Sequence, residues 1–355
     1  MSSGEEFPTG PVSRGLHSLV KVALGLVAGA AAVWLVVSTA GGVGDAADAI
    51  GRMRGGFVAL AAVFAALRIA LFGLQLLWLA RRSGGLTVTT AMGLALVVFG
   101  FGAITPAAPA EGLAIANREL RRRGRSKRQA RLTVGFSEWF AQRTFYAVAA
   151  IDLVAVVALG HLPLRDSWPF VLVAIVVLAA LAGTAVMAHR PSSVERISAL
   201  LGAIRIRRPS PSPDGSQESG PTWHAQAMGV VGSPRNRARL AAVSAAAVLA
   251  DAATLWATCH AAGFHIHPEL VLLARTVGTI ASWVPLLPSG LGLVEAAIPA
   301  ILHRFGAPLD DALAATLVYR ALGTLLPALA GGVAIAALRA RTAPTTIDHP
   351  AEAPS

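Results

Sequence analysis

Glu111, Arg275, Glu295 and Arg320 each stand in long apolar stretches of sequence, and two of them adjoin proline- and glycine-rich breaks. An ionisable group in hydrocarbon costs about 2.5–3.5 kcal/mol on insertion scales, so each needs a reason to be there. The arginines would supply a cationic spot for a phosphate. The carboxylates would hold a headgroup amine or carry protons. The competing reading is mutual neutralisation, in which Glu–Arg pairs fix helix register and never meet a ligand. The first break reads Thr105-Pro106-Ala107-Ala108-Pro109-Ala110-Glu111-Gly112 and the second Val284-Pro285-Leu286-Leu287-Pro288-Ser289-Gly290-Leu291-Gly292. Proline removes a backbone donor and disfavours helix in the residue before it. A helix restarting after such a break offers unsatisfied amide donors and a positive dipole end to an anion. Gly290 and Gly292 would let backbone approach a ligand closely. The plainer account is that these residues only kink packed helices. The candidate binding set is therefore Pro106, Glu111, Arg275, Pro288, Gly290, Gly292, Glu295 and Arg320, with no catalytic and no metal residue among them.

Further charges occur in apolar runs: Arg68, Glu138, Arg143, Asp152 and Asp251. Glu138 and Arg143 are five apart, outside the favourable helical pair spacing. Asp152 and Asp251 read as helix-packing acids. His265 and His267 form a lone His-x-His, which is weak for a metal without further ligands. Cys259, the single cysteine, forms no intrachain disulfide and no cysteine-rich metal site. No nucleophile–base–orienter set, phosphate loop or zinc motif is present. No enzyme activity and no cofactor is expected.

The elements that must position these residues are apolar helices. Apolar residues make up 55% of the 355-residue chain and charged residues 14%, with a mean hydropathy of +0.62. Soluble domains carry about 25% charged residues. A bilayer core takes roughly 20 apolar residues to cross as helix. Leu19–Ser38, Phe57–Ala80, Val148–Leu159 with its preceding turns, Phe170–Ala188, Leu240–Ala262 and Ala312–Leu338 reach or approach that length. A soluble protein is excluded. The net charge of +11 has a topological cause: 16 of the 30 Lys and Arg residues fall in Arg118–Arg131 and Arg190–Arg239. Such clusters mark cytoplasmic loops and favour anionic lipid headgroups. No aromatic-interleaved basic platform accompanies them, which argues against nucleic acid.

Counting every apolar run as a span places the basic Arg118–Arg131 segment outside the cell, against this rule. The conflict is removed if each broken run enters the membrane, turns at its prolines and returns to the same face. Broken backbone is tolerated at membrane depth where it lines a protein cavity. The expected fold is an all-α, polytopic transmembrane bundle of about six full spans plus two re-entrant hairpins, against an alternative of eight simple spans. Both termini are then cytoplasmic and the protein lies in the plasma membrane. Residues 1–15, 207–234 and 342–355 read as flexible segments around a membrane domain at 16–341.

The two breaks also resemble each other. Pro106 and Gly124 are 18 apart, as are Pro288 and Gly306. Leu120 and Leu302, and Ala130 and Ala312, match at the same offset of 182. Paired, interrupted segments entering from opposite faces point to a midplane site in transporter folds.

The second break, from Trp283 through Pro285, Pro288, Ser289, Gly290, Leu291 and Gly292 to Glu295, is followed by Gly306, Ala312 and Arg320. This pattern resembles the P-x-x-P-G-G-L-G-x-x-E … G … A … R signature of the flippase-like family, the lysylphosphatidylglycerol synthase transmembrane region. Pro106, Glu111, Gly112, Leu120 and Gly124 resemble that family's other common stretch. Ser289 departs from the usual glycine, and Ala110-Glu111-Gly112 reverses the usual Gly-Glu order. The resemblance implies a domain that moves phospholipids or lipid-linked intermediates between leaflets. The aminoacyltransferase domain found in some relatives has no counterpart here, so its activity is not expected. Two functions stay open: a lipid translocator, or a non-catalytic membrane anchor for a separate lipid- or glycan-modifying enzyme. Implied partners are membrane lipids with anionic or polyprenyl-linked headgroups.

Overall fold

The computed structural model describes residues 43–80, 85–104, 108–161, 168–189, 233–283 and 290–340. The expected span Leu19–Ser38, Pro106, Pro288, nearly all of the 207–234 linker and both terminal segments lie outside them, as does the side chain of Glu111. The described residues are helical and contain no strand. The helices are α1 (Val43–Gly51), α2 (Gly55–Ala80), α3 (Val88–Ile104), α4 (Ala108–Arg122), α5 (Lys127–Ala158) and α6 (Trp168–His189). They continue with α7 (Pro234–Ala261), α8 (Pro268–Ser282), α9 (Leu293–Arg304), α10 (Leu309–Arg320) and α11 (Leu326–Ala340), the last two joined by a π-helical turn at Ala321–Leu325.

Four helical stretches among the described residues are long and apolar enough to cross a membrane: Gly55–Ala80, Leu132–Ala158, Pro234–Ala261 and Leu309–Ala334. Val88–Gly100 and Phe170–Gly183 are shorter apolar helices. The outside of the bundle is greasy: Val63, Ile151, Val154, Val171, Leu172, Ile175, Leu178, Leu329 and Val333 are all exposed. In water so much exposed aliphatic surface would drive association. In lipid it is the ordinary exterior, and helices satisfy every backbone group internally. The chain is a multi-pass integral membrane protein.

Two pairs of helices fold back on themselves at the breaks. Gly112 on α4 lies against the Val98 backbone on α3. Further from the turn, Arg123 donates to Thr90 Oγ1 at 3.2 Å and Arg125 donates to the Gly85 carbonyl. Residue numbers rise along α4 as they fall along α3 in these contacts, so the two helices are antiparallel. α8 and α9 do the same, with Gly290 against Ser282 and Gly278 against Ile298.

The offset of 182 seen in the sequence governs the fold. α5 begins at Lys127 and ends at Ala158; α10, the π turn and α11 together run from Leu309 to Ala340, each bound displaced by 182. α2 corresponds to α7, and the α3–α4 hairpin to α8–α9. The matched residues share environments: Leu120 and Leu302 are buried, and so are Ala130 and Ala312. Gly124 and Gly306 both end their helices with positive φ, 78° and 96°. The following amides close the same loop, Arg125 N–H to Leu120 O at 3.2 Å and Ala307 N–H to Leu302 O at 3.1 Å. This is a left-handed helix cap, which glycine adopts without strain.

The repeats run in opposite directions. α2 and α7 pack tightly, with Arg68 on Asp251, Gln75 on Ser244 and the Arg54 amide on the Ala261 carbonyl. Numbers rise along one helix as they fall along the other, so the corresponding helices are antiparallel. The architecture is an inverted repeat.

The α3–α11 crossing depends on small residues. A Cβ on Gly331 would stand 2.6 Å from Leu96 O and 3.2 Å from Gly100 Cα. Neither backbone can yield without parting the helices. Gly331→Ala is expected to cost about 1–3 kcal/mol through overpacking, read as a lowered thermal midpoint in detergent micelles. An unchanged midpoint would show that the crossing is looser than drawn.

Candidate functional site

A cavity of about 270 Å³ lies where the two repeats meet, lined by α2, α3 and α5 of one and α7–α10 of the other. Three of its charged residues, Arg68, Glu138 and Asp251, stand well inside long helices. Arg68 is thirteen residues from the start of the 26-residue α2, roughly 19 Å along the axis at 1.5 Å per residue. Arg320 closes α10, immediately before the π turn. A π turn inside a longer helix frequently marks a functional position.

Asp251 is the hub. Its Oδ1 accepts from Arg68 Nη1 at 2.5 Å, and its Oδ2 accepts from Arg275 Nε at 2.8 Å and the Tyr319 hydroxyl at 3.2 Å. Asp251 and Tyr319 are buried, and the Arg275 side chain is 11% exposed. Arg68 also sits over the Phe99 ring at 4.4 Å and Arg275 over Phe145 at 4.8 Å. Aromatic faces attract guanidinium through the ring quadrupole and help to hold it away from water. One carboxylate thus serves two guanidiniums. Arg275 Nη1 is buried and has no hydrogen-bond partner among the described residues. A buried, charged donor without an acceptor is costly unless a ligand supplies one.

Glu295 and Arg320 form a second pair. Arg320 Nε donates to Glu295 Oε1 at 2.9 Å, while Glu295 Oε2 accepts from the Gly292 amide at 2.7 Å. The carboxylate therefore satisfies an orphan donor at the start of α9 and counters a guanidinium in the cavity wall. Gly290, with φ 66°, packs its Cα close to Ser282 of α8, where a Cβ would lie 2.5 Å from Ser282 Cα. The cavity wall also carries Glu138, whose carboxylate accepts from Gln142 Nε2 at 2.8 Å. Glu138 and Arg320 are separated by the repeat offset of 182, so equivalent positions present opposite charges. Arg143 does not meet Glu138; it stacks over Trp139 at 5.3 Å.

Of the residues singled out in the sequence, the structure brings Arg275 and Arg320 into the cavity wall, Glu295 onto Arg320, and Gly290 and Gly292 to the start of α9. Pro106 and Pro288 lie outside the described residues. Glu111 falls in the first turn of α4, its side chain outside them too. The cavity wall also holds Arg68, Glu138, Gln142, Asp251 and Tyr319, which lie outside the candidate set. Asp251, which the sequence presents as a packing acid, does join helices, but inside the cavity. An acid and a base each near the middle of an apolar run, Asp251 and Arg68, were the available signal.

A family model described as the lysylphosphatidylglycerol synthase TM region matches residues 20–331. No curated protein matches the chain.

Proposed function

This chain belongs to the lysylphosphatidylglycerol synthase TM region family, and from that premise we propose that it translocates a phospholipid or lipid-linked intermediate between the leaflets of the cytoplasmic membrane. The observation that carries the reading is the Arg68–Asp251–Arg275 cluster, two guanidiniums on one carboxylate, with Arg275 Nη1 unpartnered. The cluster has a formal charge of +1 and matches a phosphodiester monoanion. Arginine's planar fork suits phosphate oxygens, and such bonds are about twice as strong as neutral ones. The cavity is near the lower end of small-ligand sites, about 300–1,000 Å³. It accommodates a headgroup, and acyl chains would remain in lipid outside.

The inverted repeat supports the same reading, since a site held between oppositely directed halves can be opened to either face by rocking one against the other. In this proposal the two hairpins are re-entrant, the basic Arg118–Arg131 segment faces the cytoplasm, and the ends of α5 and α7 face outward. The test is reconstitution into liposomes carrying headgroup-varied fluorescent phospholipids and polyprenyl phosphates, with probe access followed from the far leaflet. Exchange above that of protein-free vesicles is expected for at least one anionic lipid. Exchange equal to protein-free vesicles for every lipid would remove the translocator and leave the anchor for a separate enzyme.

A further inference from the structure

We propose that His161, His267 and Glu269 form a binding site for a zinc-class divalent metal ion, at the end of the bundle where α5 finishes and α8 begins. His161 follows the α5 cap, its amide bonded to Val156 O at 3.2 Å. His267 is the residue that caps α8, and Glu269 lies in that helix's first turn. Two helix ends therefore hold all three donors.

Glu269 Oε1 stands 2.8 Å from His161 Nε2 and 3.8 Å from His267 Nδ1. The rings are 4.8 Å apart, and the three donor atoms lie within 4.8 Å of one another. A hydrogen bond needs one imidazole; here one carboxylate oxygen faces nitrogens of two. Donors about 2.0–2.1 Å from a tetrahedral zinc sit roughly 3.3 Å apart, between the two spacings to Glu269. Two imidazoles and a carboxylate select zinc-like ions over calcium or magnesium, which take oxygen donors. The fourth position is left for water.

A second observation points to a cation. Glu269 shares a neighbouring cavity of about 380 Å³ with Asp152 of α5. Asp152 is 5% exposed, and its Oδ2 has no hydrogen-bond partner among the described residues. That wall carries two carboxylates, one of which faces both imidazoles, and a divalent ion would offset their negative charge. Bound metal would also tie the end of α5 to the start of α8, and both helices line the central cavity. The proposal does not depend on lipid translocation.

Tag-free, chelator-stripped protein in detergent micelles, titrated with zinc alone, provides the test. Binding of one ion per chain is expected, with a metal-dependent rise in thermal midpoint. Loss of a direct ligand should weaken binding at least as much as loss of an outer partner does, about 10–100-fold. His267→Ala carries the test, because this 68% exposed side chain can be removed without disturbing packing. Glu269→Gln should match it, and His265→Ala, at a histidine that packs on His260 instead, should bind as wild type. Absence of stoichiometric binding, or wild-type affinity and midpoint shift in His267→Ala, would overturn the site.

Discussion

Asp251→Ala should lower the unfolding free energy by about 3–5 kcal/mol, the range for breaking a buried ion pair from one side. Asp251 counters both Arg68 and Arg275, so its removal strands two guanidiniums in the bundle. Arg275 Nη1 is buried, and the Arg68 side chain is only 20% exposed. Tyr319→Phe deletes only the 3.2 Å bond from its hydroxyl, and about 1 kcal/mol is expected. Exchanging Arg68, Asp251 and Arg275 together for apolar residues of similar volume should restore stability near wild type, because buried ionic groups are often replaceable at little net cost. Denaturant titration in mixed micelles measures all three. An Asp251→Ala protein within about 1 kcal/mol of wild type would mean that water already solvates the arginines.

The second large effect is expected on transport. Arg275→Gln should slow lipid exchange roughly 10- to 100-fold, corresponding to the about 1.5–3 kcal/mol carried by a hydrogen bond to a charged group. The fold should survive, because Arg68 and Tyr319 still hold Asp251. Arg275→Lys keeps the charge but loses the fork and the stacking on Phe145. Its exchange rate should fall between those of wild type and Arg275→Gln. The same vesicles report both rates, and thermal midpoints in detergent check that each variant is folded. Wild-type exchange by Arg275→Gln would remove this arginine from the headgroup site. Equal loss in both variants would point to geometry, not charge, as the requirement.

The helix breaks between α3 and α4 and between α8 and α9 were legible because proline and glycine act locally. Pro106 and Pro288 lack a backbone donor whatever surrounds them, so the position of each break could be read from the chain. The repeat was legible for a similar reason: Gly124 and Gly306 close helices through a local cap, and Leu120 and Leu302 lie four residues before them in both halves. Arg275 and Glu295 could be recognised as unusual, because a charge in an apolar run stands out without knowledge of its partner. Asp251 illustrates the limit. Its bonds to Arg68 and Arg275 span 183 and 24 residues, and no spacing rule connects positions joined only by helices crossing.

The histidines show the same limit more sharply. His265 and His267 are neighbours in sequence, yet His265 packs on His260, while His267 faces His161 and Glu269. Sequence periodicity carried the adjacency and tertiary structure the grouping. By itself the sequence determined an apolar, all-helical membrane chain, its two broken runs and the charges that interrupt its helices. Only the tertiary structure decided that the repeats run in opposite directions, and that Arg68, Asp251 and Arg275 share one cavity. The physical reason is the difference between local and distant interactions. Hydropathy, helix caps and proline act within a few residues, whereas burial lets charges far apart in the chain find each other once their helices pack.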